Sequence, residues 1–335
     1  MPIYHNYPLA PLSWFRTGGS ADTFIKADSL EELQEFMRDV SAFHILGNGS
    51  NTLIRDGGVT EPVLKLGRGF RAMTQDSGAD FPGVTDSTRT ALESVSTGIQ
   101  EKVLDPGSQE TLEQHSCQVF RKVREASTIN TVTIGAACLN RTVVEQTAAW
   151  GLSGLEFLIG IPGSIGGAVA MNAGACGTET KDTLQSIQVC LPGGSLQTLD
   201  MQDLGMTYRH ATLPEGAVVI SATFALMPAD SVVIRQNINT YLKHRDEAQP
   251  TGGKTGGSTF KNPDGYKAWA LIDRVGLRGH RIGGAAFSEK HCNFIMNTDG
   301  TATDIEALGN LAQTRVKEQT GIELEWEIKR LGGHS

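Results

Sequence analysis

The chain has 335 residues, of which 39% are hydrophobic, so it is long enough for two or three domains with apolar cores. Its formal charge of -8 excludes a general affinity for nucleic acid or acidic membranes, because no basic stripe or tail offsets the negative charge. The five cysteines are scattered and form no CxxC pair, which predicts neither a disulfide framework nor a zinc site and favours a reducing cytoplasm. No signal-peptide pattern or long apolar stretch is visible, so we expect neither export nor membrane insertion.

The first predicted elements are a helix and two short strands. Ser29 and Glu32 have the spacing of a capping box, and apolar residues at helical spacing predict a helix over residues 30–40. Strands are predicted at 43–46 and 63–66. The first strand runs into a loop whose successive backbone N–H groups could bind an anion. That loop consists of Gly47, Asn48, Gly49, Ser50 and Asn51.

The middle of the chain contains a region without clear periodicity and then a second glycine-rich cluster. Residues 75–130 are polar and rich in serine and threonine, which indicates an insertion. A strand is predicted at 131–134, and Thr142 with Glu145 predicts the cap of a helix that ends at Gly151. The cluster at 160–167 lacks the spacing of a Rossmann fingerprint, as does the loop at 47–51. Two separate loops could still hold a dinucleotide cofactor, although each alone is also typical of plain turns.

The last third of the chain is predicted to contain three helices and a final strand. Asp230 predicts the N-cap of the first helix, whose apolar face includes Ile234 and Ile238. A second helix is predicted from about residue 267 to 276, and Thr303 with Glu306 predicts the cap of the third. Residues 324–329 alternate apolar and polar side chains, which predicts a strand with Glu327 on its polar face.

Two local motifs could carry chemistry. The run from Gly256 to Pro263 joins the Ser258 hydroxyl to donors on Lys261 and Asn262 that suit a diphosphate, although an ordinary surface turn is the alternative for this run alone. Arg209, expected directly after a strand, could present its guanidinium to a carboxylate or enolate, or could be a solvated surface charge. The histidines lack the spacing of a metal pair, so no metal site is predicted.

These motifs together resemble the UDP-N-acetylenolpyruvoylglucosamine reductase (MurB) family over nearly the whole chain. The short path from Tyr208 to Ser258 further resembles the type II branch of that family. The segments that carry the resemblance are Pro11–Gly19, Leu46–Asn51, Gly154–Glu156, Gly160–Gly167, Met171–Ala175, Tyr208–Arg209, Gly256–Pro263, Arg281–Ala285, Ser288–His291 and Leu324–Ile328.

The resemblance implies an α+β fold with a two-subdomain FAD-binding module of the vanillyl-alcohol-oxidase type and a smaller α+β substrate-binding domain. We expect the first FAD-binding subdomain at residues 1–74, with a C-terminal strand in 320–335 that returns to the flavin side. The second subdomain would span 75–229, including the insertion at 75–130, and the substrate-binding domain would span 230–319.

The resemblance also implies an activity: NADPH reduces bound FAD, which reduces UDP-N-acetylglucosamine enolpyruvate to UDP-N-acetylmuramate in peptidoglycan precursor synthesis. Arg209 and a protonated Glu327 would stabilise the enolate, and Ser258 would protonate the carbanionic carbon. The substrate would contact Tyr208, Lys261 and Asn262. The FAD would contact Gly47, Asn48, Gly49, Ser50, Asn51, Gly160, Ile161, Pro162, Gly163, Ser164, Gly166, Gly167, Asn172 and Gly174.

Two features depart from the family pattern, and two other functions stay open as alternatives. The stretch from Thr74 to Asn130 is longer than the family usually has, and Cys176 replaces a common aromatic residue that would stack near the flavin. The alternatives are another FAD-dependent oxidase or dehydrogenase of the same fold and a non-catalytic nucleotide-sugar-binding protein. No metal, nucleic acid or membrane partner is expected, and we expect a monomer in the cytoplasm.

Overall fold

The computed structural model describes residues 1–75 and 130–334, and contacts divide this part of the chain into two units. The first unit comprises Met1–Asp28, Asp39–Gly67 and the chain from Arg245 onward, and the second comprises Ser29–Arg38 and Arg68–His244. The three-domain division, with boundaries at 74, 229 and 319, stays a prediction. The predicted insertion lies outside the described residues, apart from its end residues Gln75 and Asn130, which belong to strands.

The first unit contains a four-stranded sheet with the order β1–β2–β5–β3. Strand β1 (Ile3–Pro8) pairs antiparallel with β2 (Ser20–Ala27), whereas β5 (Val63–Leu66) lies parallel to both β2 and β3 (His44–Ile45). These strands confirm the predictions at 43–46 and 63–66. Leu9, Phe24, Leu46, Ile54 and Val63 form a buried core here.

The same unit has a second core around two helices and a small sheet. Its elements are β4 (Thr52–Ile54), α5 (Ala268–Arg274), β14 (Arg281–Ile282), β15 (Ala285–Phe287), β16 (Ile295–Asn297), α6 (Ala302–Thr320) and β17 (Lys329–Leu331). Helix α6 packs against α5, β14 and β15, and its buried residues include Ile305, Leu308 and Val316. Strand β17 pairs in parallel with β4, which brings the C-terminal segment back to the N-terminal part of the chain.

The elements of the second unit are α1 (Leu30–Asp39), β6 (Met73–Gln75), β7 (Asn130–Gly135), α2 (Asn140–Ala149), β8 (Leu152–Ser153), α3 (Ile165–Ala170), β9 (Gly174–Ala175), β10 (Thr178–Glu179), β11 (Leu184–Cys190), β12 (Leu196–Asp200), β13 (Val218–Pro228) and α4 (Ser231–Ala248), of which the part from Arg245 belongs to the first unit. An antiparallel sheet has the order β12–β11–β13–β7–β6, and β8 pairs with the end of β13. Helix α1 contacts the β11–β12 turn, because the Gly193 N–H donates to the Met37 carbonyl at 2.7 Å.

Most predicted helices and strands are confirmed, but two predicted helix starts are wrong. Helix α2 begins at Asn140 rather than behind a Thr142 cap, because the Asn140 N–H and side chain bind the carbonyls of Gly163 and Ile161. Helix α6 begins after Thr301, which forms a capping box with Asp304. The predicted cap pair instead contacts a distant segment: Thr303 Oγ1 donates to the Asp56 carboxylate, and Glu306 accepts from Arg55.

Two further predictions are corrected near the candidate site. The strand predicted at 324–329 is reduced to one bridge at Trp326 and to β17, which begins only at Lys329. The predicted apolar positions Leu324 and Ile328 are nevertheless both buried, as the alternating pattern requires. Arg209 does not follow a strand, because the short 3₁₀ helix Met201–Leu204 lies between β12 and the turn that carries Arg209. None of the helices within residues 1–75 and 130–334 combines the length and apolar character that a membrane crossing needs.

Candidate active site

The first unit places Ser258 and Glu327 on adjacent chain segments. The segment from Ser258 to Lys261 lies between two others, because Ser258 is bridged to Phe294 and Phe260 is bridged to Trp326. The Glu327 N–H donates to the Thr259 carbonyl at 2.9 Å. Two predicted catalytic residues that are far apart in sequence are therefore neighbours along a paired backbone.

The two glycines before Ser258 are required for different reasons. A Cβ on Gly256 would lie 2.4 Å from the Phe15 ring and 3.3 Å from the Ile328 side chain, so this position has no room for a methyl group. Gly257 has φ +84, and no described atom lies within 4 Å of its added Cβ. Gly256 therefore serves internal packing, whereas Gly257 allows a left-handed turn beside open space.

Asn293 fixes the backbone that follows Ser258, and sequence reasoning missed it. Its side-chain Oδ1 accepts from the Phe260 N–H at 3.0 Å, and its Nδ2 donates to the Phe260 carbonyl at 2.8 Å. Asn293 is only 3% exposed, so both bonds are made away from water. The sequence does indicate a buried, hydrogen-bonded role for Asn293, because it is the only polar residue in the apolar run from Cys292 to Ile295.

Two ionisable residues beside Asn293 have pKa values shifted toward their neutral forms. Burial lowers the pKa of His291, which favours the neutral imidazole. Burial also raises the pKa of the Cys292 thiol to about 11. The His291 Nδ1 accepts from the Asn293 N–H at 3.3 Å, so His291 makes a structural contact here.

The predicted diphosphate contacts already have partners in this structure. Lys261 Nζ lies 2.6 Å from the carboxylate of Glu325, whose side chain is 72% exposed. An exposed ion pair of this kind is weak, so an anionic ligand can compete for the ammonium group. Asn262 Oδ1 accepts from the Ala268 N–H at 2.9 Å and so caps the start of α5. Their binding of substrate stays a prediction.

The loop Gly47–Asn51 is held by the N-terminal segment that contributed to the resemblance. The Trp14 N–H donates to the Gly49 carbonyl at 3.0 Å, and Ser13 Oγ donates to the Thr52 carbonyl at 3.0 Å. A Cβ on Gly49, whose φ is +65, would lie 2.0 Å from the Leu12 carbonyl oxygen. Only glycine therefore fits at this position.

The side chain of Asn51 points away from the loop and contacts the C-terminal segment. Its Nδ2 donates to the Glu327 carbonyl at 3.2 Å, and the Lys329 N–H donates to the Asn51 carbonyl at 3.0 Å. This contact could not be read from local pattern, because the two residues are 276 positions apart in the sequence.

A buried ion cluster anchors the same C-terminal segment. Glu306 is 5% exposed and accepts from Arg55 Nη2 at 3.0 Å and from Arg330 Nη1 at 3.2 Å. Arg55 Nη1 also donates to the Gly332 carbonyl at 3.1 Å. The carboxylate is buried but paired with Arg55, directly after β4, and with Arg330 on β17, so the cluster ties both segments to α6.

Arg209 lies in the second unit, in a tight turn. Thr207 and His210 are bridged around it, and Arg209 itself has φ +56, a left-handed conformation that is uncommon outside glycine. Its Nη2 donates to the Gly174 carbonyl at 3.3 Å, and its guanidinium lies 5.0 Å from the centre of the Tyr208 ring. Tyr208 is 44% exposed. The turn thus presents a cation and an exposed ring together.

The predicted loop residue Asn172 supports this turn. Asn172 is fully buried, and its Nδ2 donates to the Thr207 carbonyl and to the Glu179 carboxylate, each at 3.0 Å. Its Oδ1 accepts from the Lys181 N–H at 3.0 Å. Asn172 therefore links the segment that contains Gly174 to the turn that contains Arg209.

Cys176 occupies a two-residue hairpin turn between β9 and β10. Cys176 and Gly177 have φ values of 50 and 79, which is the sign pattern of a type I′ turn. The Cys176 sulfur lies 3.6 Å from His244 Nδ1. The turn geometry explains the glycine at 177 but not the cysteine, because asparagine or glycine is usual at the first turn position.

The two glycine-rich loops have donors that fit a diphosphate-bearing cofactor such as FAD. Among the described residues, no acceptor is present for the N–H groups of Gly47, Asn48 and Gly49. The same holds, over residues 1–75 and 130–334, for the N–H groups of Gly163 and Ser164. Runs of unpaired N–H groups in glycine turns suit phosphate oxygens. The assignment of individual residues to the cofactor stays a prediction.

Comparison with known proteins gives matches to two family models and to full-length relatives. Residues 249–331 match the C-terminal domain of UDP-N-acetylenolpyruvoylglucosamine reductase, and residues 116–200 match an FAD-binding domain. The chain is 39% identical to the Gluconobacter oxydans UDP-N-acetylenolpyruvoylglucosamine reductase, over 98% of this chain and 92% of that protein. It is 42% identical to the Erythrobacter litoralis enzyme of the same name, over 97% of this chain and 86% of that protein.

A solved structure agrees with these matches. The crystal structure of the Thermus caldophilus reductase (MurB) is similar to this chain, with a TM-score of 0.74 and 29% sequence identity. The match covers 99% of this chain and 100% of the Thermus caldophilus chain. The FAD-binding match and this structure confirm the predicted α+β fold with an FAD-binding module. Together with full-length identities near 40%, they show that the chain belongs to the UDP-N-acetylenolpyruvoylglucosamine reductase (MurB) family.

Proposed function

We propose that this protein reduces UDP-N-acetylglucosamine enolpyruvate to UDP-N-acetylmuramate, with FAD bound and NADPH as the reductant. The observation that carries the proposal is the backbone pairing of the Ser258 segment with the Glu327 segment, inside the region that matches the reductase C-terminal domain. The balance is simple: one hydride and one proton add across the carbon–carbon double bond, and NADPH becomes NADP⁺.

The cofactor supplies hydride chemistry, and the protein supplies charge and a proton. When bound, FAD would supply the hydride-transfer chemistry that links NADPH to the terminal carbon of the enol ether. Negative charge then develops on the substrate carboxylate, where Arg209 and a protonated Glu327 would stabilise it. Arg209 suits this role because its guanidinium stays charged and can bind a carboxylate through two N–H groups.

Ser258 would donate the proton that completes the reduction. A serine hydroxyl is a weak acid, so the reaction requires a strongly basic enolate and a hydroxyl fixed at reacting distance. Asn293, the Phe294 bridge and the Thr259–Glu327 hydrogen bond hold the backbone on both sides of the Ser258 segment. This fixed backbone supports the assignment of Ser258 as the proton donor.

Substrate binding would use Tyr208, Lys261 and Asn262. Lys261 supplies a cation in a chain with net charge -8, and its exposed partner Glu325 can move away when a diphosphate arrives. Tyr208 supplies an exposed aromatic face beside Arg209. These contacts are proposals that rest on the motif and on the local donors.

The two alternative functions have less support. A different FAD-dependent oxidase would not require an arginine, a serine and a glutamate at these three motif positions. A nucleotide-sugar-binding protein without turnover would be expected to have lost at least one of them, whereas Arg209, Ser258 and Glu327 are all present. We also propose a monomer in the cytoplasm, the latter supported by the scattered cysteines.

The Ser258→Ala variant tests the proton-donor role. We expect reduction of the flavin by NADPH to stay within about twofold of the parent, because the hydroxyl takes no part in it. Reoxidation by the enolpyruvyl sugar nucleotide should fall by at least about 100-fold, since a positioned proton donor is lost. Stopped-flow flavin absorbance measures the two steps separately.

Ser41→Ala is the matched control, because Ser41 is exposed and belongs to the same unit. It should leave both half-reactions at the parent rate. Reoxidation of Ser258→Ala at the parent rate would reject Ser258 as the donor, even if the parent protein has the proposed activity.

A further inference from the structure

Asn51 joins the predicted cofactor loop to the segment that bears Glu327. It is the last residue of the loop Gly47–Asn51 and directly precedes β4. Its side-chain N–H group donates to the Glu327 carbonyl at 3.2 Å, and its main-chain carbonyl accepts from the Lys329 N–H at 3.0 Å. A single residue therefore holds the chain on both sides of Ile328.

The Glu327 backbone is fixed from two directions as a result. Its N–H donates to Thr259 at 2.9 Å, and its carbonyl accepts from Asn51. The next residue, Ile328, is 2% exposed and packs in the core with Phe15. Regular pairing with β4 begins at Lys329, two residues after Glu327. The Asn51 side-chain bond therefore extends the contact between the two segments back to Glu327.

The geometry points to Asn51 as a positioning residue: its side-chain amide sets the main-chain position of Glu327, and hence the carboxylate that meets the substrate. This inference rests on the proposed function. It differs from the sequence-based prediction that Asn51 contacts FAD, because the side-chain N–H group is directed at the protein rather than at the cofactor. Among the described residues, the backbone N–H groups of Gly47, Asn48 and Gly49 have no acceptor and can bind the cofactor.

The inference predicts which step of the reaction depends on Asn51. A misplaced Glu327 would affect stabilisation of charge on the enolpyruvyl substrate, which occurs only in the second half-reaction. Reduction of the flavin by NADPH does not need that carboxylate. Small displacements of a catalytic group are costly, and about 1 Å can lower a rate about 100-fold.

Asn51→Asp is the sharpest test, because it keeps the side-chain shape but replaces the donor with an acceptor that faces a carbonyl. We expect reoxidation by the enolpyruvyl sugar nucleotide to slow by about 10- to 100-fold. Asn51→Ala removes the same donor without adding a charge beside the loop predicted to bind the cofactor diphosphate, and it covers the case in which Asn51→Asp does not fold. In Asn51→Ala, reoxidation should slow likewise, while flavin reduction by NADPH and the dissociation constant for FAD should stay within about twofold of the parent.

Asn310→Asp is the control for the added charge, because Asn310 lies on an exposed position of α6 in the same unit. It should leave both half-reactions unchanged. A reoxidation rate at the parent level in both Asn51 variants would overturn the inference. So would a parallel loss of FAD affinity and of both half-reactions in Asn51→Ala, since that result places the side chain on the cofactor. The proposed function is tested apart from this: it fails if the parent protein itself is not reoxidised by the sugar nucleotide.

Discussion

Gly256 is a residue whose role is packing, and this gives a prediction on stability. An alanine methyl would lie 2.4 Å from the ring of Phe15, which is fully buried, so the core must move to accept it. We expect Gly256→Ala to lower the free energy of unfolding by about 1–3 kcal/mol, as overpacked cores do. Urea unfolding followed by tryptophan fluorescence measures the change.

Gly333→Ala is the control for that measurement. No described atom lies within 4 Å of a Cβ at Gly333, and this glycine is not in the left-handed region. Its unfolding midpoint should match the parent. A Gly256→Ala midpoint equal to the parent would show that the core around Phe15 can accept the methyl, contrary to the packing account.

Individual site residues divide into those that the sequence could predict and those that it could not. Ser258 and Asn262 lie within one short run, so a motif identifies them without knowledge of the fold. The contact between Asn51 and Glu327 spans 276 positions, and the reason for Gly256 is the ring of Phe15. Such roles depend on which distant segments meet, and local spacing carries no information about that.

At the scale of elements, the start of α6 gives a pH-dependent prediction. The Asp56 carboxylate accepts from the N–H groups of Ala302 and Thr303 at 3.0 and 2.9 Å, and from Thr303 Oγ1 at 2.8 Å. Partial burial opposes ionisation of Asp56, but these hydrogen bonds outweigh it and lower the pKa below 3.8. A lowered pKa means that the ionised carboxylate stabilises the fold above pH 3.8, and that this contribution is lost as the pH falls further.

Asp56→Asn should therefore be less stable than the parent by about 1 kcal/mol at pH 7, the usual effect of weakening a helix cap. The difference should be smaller at pH 3 than at pH 7, because part of the contribution of the ionised carboxylate is lost once the pH falls below 3.8. Urea midpoints of both proteins at the two pH values provide the measurement. A difference of the same size at both pH values would contradict the role of the ionised form.

The same helix shows why element boundaries were less predictable than the elements themselves. Thr301 with Asp304 and Thr303 with Glu306 both have capping-box spacing, so local pattern does not choose between them. The structure uses the first pair because Thr303 donates to Asp56 and Glu306 accepts from Arg55. Periodicity over many residues predicted the helix, whereas two tertiary contacts decided where it begins.

At the scale of the whole molecule, each unit is built from chain segments that are not consecutive in the sequence. The chain leaves the first unit after Asp28 and again after Gly67, and it returns to the first unit at Asp39 and at Arg245. The glycine-rich loop at 47–51 belongs to the first unit, and the cluster at 160–167 belongs to the second. The family resemblance was enough to predict an FAD-binding α+β fold and the return of the C-terminal strand, whereas the rest of this interleaving follows from tertiary contacts and was not predicted.

The central claim is that one flavoprotein carries electrons from NADPH to an enolpyruvyl sugar nucleotide. The most direct measurement is the flavin absorbance of the purified protein under anaerobic conditions. We predict that NADPH bleaches the absorbance and that UDP-N-acetylglucosamine enolpyruvate then restores it, with formation of UDP-N-acetylmuramate in equal amount. A flavin that NADPH bleaches and oxygen restores, but that stays bleached with the sugar nucleotide, would contradict the account.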